Sequence, residues 1–176
     1  MTNLNNGFVS NRVLKINVGF LLHESGGTSR VFDFDLPAVR VADDLLLAYL
    51  RGPVRLTRTA RGVLAQASRI AAGHEAECVR CLESFTLSLE LAFEELYAFP
   101  PTPDAELSVA DDGILDLGPL IRAEAIVRTP MGPLCRPDCR GLCPHCGHNL
   151  NQGPCDCEQE KVDPRLAILK SLRDND

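Results

Sequence analysis

Tryptophan and long hydrophobic runs are both absent from this 176-residue sequence, and aromatic residues make up only 5% of it. A membrane-spanning helix needs about 20 consecutive apolar residues, and no segment provides them. The first 22 residues also lack the apolar run of a secretory signal peptide, because Gly7, Asn11 and Lys15 interrupt it. We therefore expect a cytoplasmic protein that does not bind membranes.

The short motifs typical of enzymes are missing as well. The sequence contains no G-x-S-x-G turn, no H-E-x-x-H pair, no phosphate-binding loop and no Rossmann fingerprint. We expect no enzymatic activity and no small-molecule substrate. A nuclease or another RNA-directed enzyme is an alternative, although the carboxylates, such as Asp43–Asp44 and Asp111–Asp112, form no recognisable catalytic arrangement.

Cysteine, in contrast, is abundant, with eight in the chain. Six lie in CRPDCRGLCPHCGHNLNQGPCDC (residues 135–157), and the other two belong to CVRC (residues 78–81). Cytosolic thiols stay reduced, so clustered cysteines there more often bind metal than form disulfides. Pairs of the C-x-x-C type can close a tetrahedron of thiolates around zinc. The sequence therefore predicts two zinc sites.

Combining close pairs of cysteines divides the eight ligands between the two sites. The first predicted site contains Cys78, Cys81, Cys135 and Cys139, and the second contains Cys143, Cys146, Cys155 and Cys157. The first would attach the C-terminal segment to the rest of the fold, and the second would be a local knuckle that turns at Gly147. Because Cys155 and Cys157 are unusually close in sequence, His145 or His148 is an alternative ligand.

Alternating apolar residues predict β-strands at 12–22, 30–37 and 85–93, the first two pairing as an antiparallel hairpin. Residues 41–52 fit either a short helix or a buried strand. We expect an α+β fold, with a curled, mostly antiparallel, barrel-like sheet of five or six strands, a few helices and a C-terminal cysteine-rich zinc-binding segment. CVRC would occupy a hairpin tip.

Helices are predicted at 116–130, where Pro119 suits the first turn, and at 163–172, where Asp163 caps an apolar stripe. These elements divide the chain into three parts. Residues 1–100 form a β-rich domain, residues 101–133 a linker and a helix packed on the sheet, and residues 134–176 the zinc-binding segment and C-terminal helix.

Charge is unevenly distributed along this chain, whose net charge is −6. Residues 51–70 carry five arginines and no acid, whereas residues 82–116 carry nine acids and no lysine or arginine. One surface can therefore be basic in an acidic molecule, and we expect at least two of Arg55, Arg58 and Arg61 to share the outward face of a strand. The alternative is that these arginines are only a solvated face.

Four segments resemble, in their order and spacing, the YceD family of large ribosomal RNA subunit accumulation proteins. They are ECVRCLESF (77–85), GILDLGPLIRAEAIVRTPMGPLC (113–135), CRGLCPHCGHNLNQGPCDC (139–157) and DPRLAILKSL (163–172). The resemblance covers residues 75–173 and implies a role in synthesis, processing or stability of large-subunit (23S) ribosomal RNA. It implies no catalytic residue. Relatives without the knuckle cysteines imply that the second metal site is separable from the first.

Residues and resemblance together predict a non-enzymatic ribosome-biogenesis factor that binds ribosomal RNA or a large-subunit ribosomal protein. Arginine suits phosphate recognition, and the RNA-binding candidates are Arg51, Arg55, Arg58 and Arg61. The acid-rich stretch from Glu83 to Asp116 offers a different contact, with a basic ribosomal protein. A zinc-linked redox switch or chaperone is an alternative of another class, because clustered cysteines can release zinc on oxidation.

Overall fold

The computed structural model describes residues 8–157, most of which belong to long antiparallel strands. A 3₁₀ turn at Asn11–Leu14 comes first. The elements that follow are β1 (Lys15–Asn17), α1 (Gly19–Leu22), β2 (Ser29–Leu36), β3 (Val39–Ala42), β4 (Leu45–Thr59), β5 (Gly62–Glu77), β6 (Ser84–Ala98), β7 (Ile114–Asp116) and α2 (Gly118–Arg128).

Five of the strands form one sheet. Four of them lie in the order β2-β4-β5-β6, and the fifth, β3, pairs with the start of β4 on the same side as β2. All pairings between these strands are antiparallel, so the predicted α+β class is confirmed. Within residues 8–157 the sheet is open, with β2 and β6 at its edges, so the barrel-like expectation is wrong. The β1–β7 pair and α2 cover one face as a second layer, and the sheet therefore need not curl onto itself to enclose a core.

The hydrophobic core lies between the sheet and this second layer. Leu50, Ile70 and Leu91, from the three longest strands β4, β5 and β6, are fully buried. They belong to one apolar cluster with Leu115 of β7 and Ile121 of α2. Burying side chains of this size stabilises the fold by about 1.5–3 kcal/mol each.

The alternating segment 12–22 does not form the predicted strand. Only β1 is extended, and it pairs with β7 rather than β2, so the predicted hairpin is wrong. The Asn17 side chain accepts a hydrogen bond from the Gly19 N–H at 2.9 Å, where the short helix α1 begins. Burial then changes to a helical spacing: Val18 and Leu21 are fully buried, whereas Phe20 is 47% exposed.

Several other predicted elements are confirmed. Strand β2 covers most of 30–37, and the ambiguous segment 41–52 is extended, as the end of β3, a turn at Asp43–Asp44 and the first half of β4. Helix α2 has Pro119 in its first turn and ends before Pro130. The helix predicted at 163–172 lies outside the described residues. Neither helix within 8–157 has the length and apolar character needed to cross a membrane.

The long strand β5 places the two loops at its ends far apart. Its 16 residues span up to about 50 Å at roughly 3.3 Å per residue. The turn at Ala60–Arg61 lies at one end, and the loop 78–83, which connects β5 to β6, lies at the other. CVRC therefore occupies a hairpin tip, as predicted.

Gly62, the first residue of β5, should not tolerate a side chain. Its φ is +151°, and an added Cβ would lie 2.0 Å from the backbone oxygen of Tyr97 on β6. We expect Gly62→Ala to lower the free energy of unfolding by about 2–4 kcal/mol, because strained backbone and overpacking both oppose the native pairing. Denaturant unfolding measures this.

Gly26→Ala is the matched control, since no atom lies within 4 Å of its added Cβ. It should change the free energy of unfolding by no more than about 0.5 kcal/mol. Equal effects of the two substitutions would contradict the clash with β6.

Candidate metal centre

The loop 78–83 holds the first two cysteines in a tight turn. The Cys78 N–H donates to the Glu83 carbonyl at 3.0 Å, and the Leu82 N–H donates to the Cys78 carbonyl at 2.9 Å. Leu82 adopts a left-handed φ of 58°. The turn brings the sulfurs of Cys78 and Cys81 close together, and both residues are buried.

Two cysteines from a distant part of the chain complete this group, which we name site 1. The Cys78 sulfur lies 3.7 Å from that of Cys139, and the Cys81 sulfur lies 3.7 Å from that of Cys135. All four sulfurs lie within 4.8 Å of one another. Four thiolates arranged tetrahedrally around zinc, with bonds of 2.3 Å, are about 3.8 Å apart. Site 1 therefore fits a tetrahedral metal ion.

Backbone contacts around site 1 fasten segment 133–142 to the hairpin tip. The Val79 N–H donates to the Pro133 carbonyl, and the Leu142 N–H donates to the Arg80 carbonyl, both at 3.0 Å. The Arg80 guanidinium donates to the carbonyl of Cys139 at 3.0 Å. Apolar neighbours complete a small cluster that is separate from the main core, and they include Phe85, Leu134 and Leu142.

The other four cysteines form a second group, site 2, around a short hairpin. Leu142 and Asn149 pair as an isolated antiparallel bridge, and the Cys143 N–H donates to the His148 carbonyl at 2.8 Å. Gly147 has a φ of 71° and donates to the Cys143 carbonyl at 2.9 Å, which closes the turn. The sulfurs that lie within 4.8 Å of one another belong to Cys143, Cys146, Cys155 and Cys157.

The two groups contain the same cysteines as the two sites predicted from the sequence, although metal binding itself stays a prediction. His145 and His148, the alternative ligands, are exposed and belong to neither group. Cys146 is exposed, whereas Cys78, Cys81 and Cys139 are buried. Site 1 is therefore more shielded from solvent than site 2, in which Cys146 is exposed although Cys143 is buried.

Backbone N–H groups directed at sulfur favour the thiolate form in both groups. The Cys135 amide makes the largest contribution to lowering the pKa of Cys78 to about 6. The amides of Cys146 and His145 lower the pKa of Cys143 to about 6. Because thiolates rather than thiols bind metal, these shifts favour the metal-binding form of Cys78 and of Cys143.

Asn151, which no motif in the sequence marks, contacts the candidate ligand Cys139 of site 1. Its side-chain amide donates to the Cys139 sulfur at 3.3 Å and lowers the pKa of that thiol. No spacing rule identifies such a residue. The only signal in the sequence is a polar side chain between the ligand pairs of site 2.

The structure separates Arg55, Arg58 and Arg61, at least two of which are expected from the sequence to share the outward face of a strand. Arg55 is exposed on the outward face of β4, and Arg61 is exposed in the β4–β5 turn. Arg58 lies opposite the buried Val63 on the core side of the strand, and its guanidinium donates to backbone carbonyls of that turn. Positions three apart point to opposite faces of a strand, so the expectation for Arg55, Arg58 and Arg61 is wrong.

Acidic residues of neighbouring strands pair with two other arginines of the basic stretch. Arg51 lies 2.9 Å from a carboxylate oxygen of Asp35 on β2, and Arg69 lies 3.3 Å from one of Glu90 on β6. The stretch 51–70 is basic in sequence, but its surface on the sheet is mixed in charge.

A family model described as "Large ribosomal RNA subunit accumulation protein YceD" matches residues 68–173. The chain belongs to the YceD family. Rv2926c of Mycobacterium tuberculosis is 37% identical over 126 residues, which cover 68% of this YceD chain and 59% of that protein. YlbN of Bacillus subtilis is 28% identical over 103 residues, which cover 56% of this chain and 60% of that protein.

A plant protein also matches this YceD chain. It is the chloroplastic "Large ribosomal RNA subunit accumulation protein YCED homolog 1" of Arabidopsis thaliana, 33% identical over 60 residues, which cover 34% of this chain and 19% of that protein. The match to the bacterial relatives spans about six tenths of their length. No solved structure matches the chain.

The purified protein should carry two zinc ions per chain and no disulfide. At saturating zinc, Cys78→Ser should remove the ion from site 1 and make segment 133–142 susceptible to protease, because that segment is held by the hairpin tip. Cys146→Ser should remove the ion from site 2 and expose only residues 143–157. Elemental analysis and limited proteolysis measure these outcomes.

Serine replacing either cysteine is nearly isosteric, so each variant serves as the control for the other. Identical cleavage patterns would contradict the separate roles of the two sites. Iron with visible absorbance would contradict zinc.

Proposed function

We propose that this chain is a non-enzymatic ribosome-biogenesis factor that supports the accumulation of large-subunit (23S) ribosomal RNA. The observation that carries the proposal is the YceD family match over residues 68–173. It includes every cysteine of both sites and most of strands β5 and β6. The role would therefore be performed by the same part of the chain that contains the metal centres.

A structural role for zinc accounts for the composition of both sites. Each group offers four thiols, and four protein ligands close the coordination shell of zinc. Catalytic zinc instead keeps a position open for water or substrate. When bound, zinc would supply folding energy to a segment of low apolar content and shape a surface for a partner.

Within the basic stretch 51–70, two arginines are the most available for contacts with RNA phosphates. Arg51 and Arg69 already pair with carboxylates, and the Arg58 guanidinium is directed at backbone carbonyls. Arg55 donates to the Ser29 hydroxyl, and neither it nor Arg61 has an ion-pair partner among the residues that the structure describes. We propose that Arg55 and Arg61 contact ribosomal RNA.

Cells that lack the protein should contain less mature large-subunit RNA, and the wild-type chain should restore it. Arg55→Ala combined with Arg61→Ala should restore it poorly. In binding assays with a large-subunit RNA transcript, that variant should bind more weakly, with a salt-dependence slope lower by about 0.7–0.9 for each lost phosphate contact.

Arg51→Ala combined with Arg69→Ala is the matched control, since both arginines pair with carboxylates. It should behave almost as wild type. If both double variants bind RNA normally, while neutralising Glu90, Glu94 and Glu95 abolishes function, the partner is a basic protein. Unchanged ribosomal RNA in cells without the protein would refute the biogenesis role itself.

A zinc-linked redox switch or chaperone is a second candidate, and the exposure of Cys146 favours it. Peroxide would oxidise two thiolates of site 2 to a disulfide, be reduced to water and release the metal. In a peroxide titration, this candidate predicts zinc release from site 2 before site 1, together with suppression of aggregation of an unfolded client protein. Zinc release without that suppression would reject it.

A further inference from the structure

Asn151 belongs to the loop of site 2, but its side chain contacts a ligand of site 1. In sequence it lies between Cys146 and Cys155, both ligands of site 2. Its Nδ2 group lies 3.3 Å from the sulfur of Cys139, a ligand of site 1. One side chain therefore spans the two cysteine groups.

The orientation of this amide is fixed by its other hydrogen bonds. Its Oδ1 accepts from the Arg140 N–H at 2.9 Å, and its Nδ2 also donates to the Asn149 side-chain oxygen at 2.8 Å. The Asn151 backbone N–H donates to the same oxygen at 3.0 Å. Because Oδ1 faces a backbone donor, the N–H group is the one that faces the sulfur.

The position of Asn151 depends on the hairpin of site 2. The Leu150 N–H donates to the Gly141 carbonyl and the Gln152 N–H to the Asn149 carbonyl, both at 2.9 Å. A metal bound by the cysteines on either side would close this loop at both ends and reduce its conformational freedom. Metal at site 2 would therefore lower the entropic cost of holding the Asn151 side-chain amide against the Cys139 sulfur.

We propose that Asn151 is a positioning residue that couples the two sites, so that metal at site 2 strengthens metal binding at site 1. This inference depends on the proposed metal binding. An N–H donor stabilises the thiolate and orients it toward the metal, and loss of such a contact commonly costs 10- to 100-fold in affinity. Coupling of this kind is reciprocal, so metal at site 1 also strengthens binding at site 2.

Gln152 provides a matched control in the same loop. Its side chain donates to the Glu83 carboxylate at 3.3 Å, so it also connects the loop to the hairpin tip. Within residues 8–157, its side chain makes no hydrogen bond to sulfur. Gln152→Ala therefore removes a contact between the two segments and leaves the thiolate contact intact.

The test is zinc affinity at each site of the full chain, measured by chelator competition with mass spectrometry of cysteine alkylation. Peptides containing Cys78 and Cys81 report site 1, and those containing Cys143 report site 2. Asn151→Asp keeps the size and the acceptor for Arg140 but loses the donor. It should weaken site 1 by at least about tenfold, and Asn151→Ala, which adds no charge, should weaken it similarly. Gln152→Ala should change it by less than twofold.

A double-mutant cycle tests the coupling. Cys155→Ser, which disrupts site 2, should weaken zinc binding at site 1 several-fold in the wild-type background but not with Asn151→Asp present. Equal weakening in both backgrounds, or a Gln152→Ala effect as large as that of Asn151→Asp, would overturn the inference. If the wild-type protein binds two zinc ions and the Asn151 variants leave the zinc affinity of site 1 unchanged, this inference alone is refuted. If the wild-type protein binds no metal, the proposed sites are refuted as well.

Discussion

The position of segment 133–142 depends on one contact at the tip of the β5–β6 hairpin. There the four sulfur atoms of site 1 lie within 4.8 Å of one another. Thiolates at this spacing repel one another, and a divalent cation at their centre would offset that repulsion. From Thr129 to Cys157 the described chain contains no helix or strand longer than the isolated bridge Leu142–Asn149. The fixed position of this segment therefore rests largely on site 1 and the few hydrogen bonds beside it.

The place of site 1 in the fold follows from the length of strands β5 and β6. Beyond Gly73 the side chains of β5 are exposed or half-buried, as are those at the start of β6, up to Ser88. The two strands therefore extend past the main core as a hairpin arm. A two-stranded hairpin alone is marginally stable in water. A metal that joins its tip to segment 133–142 would stabilise the arm, and the small apolar cluster around Phe85 adds to this.

The sequence predicted those features that depend on local spacing and missed those that depend on neighbours in space. Alternation identified the outward and inward residues of β6, and near pairs identified both cysteine groups. Alternation failed at 12–22, where the Asn17–Gly19 hydrogen bond begins a helical turn. The acids that pair with Arg51 and Arg69 lie on other strands, and Asn151 contacts Cys139, which is 12 residues away in sequence. None of these contacts has a signature in linear order.

The distribution of charge over the sheet limits the kind of partner that the proposed function requires. Arg61 lies at one end of β5 and site 1 at the other, up to about 50 Å apart. Between them Arg51 and Arg69 are neutralised by carboxylates, and the chain carries a net charge of −6. Long-range attraction to a polyanion is therefore weak, and an RNA partner would have to be held by a few local contacts together with the shape of the metal-bound segment. A folded ribosomal RNA or a ribosomal particle is large enough to contact both ends at once, whereas a small ligand is not.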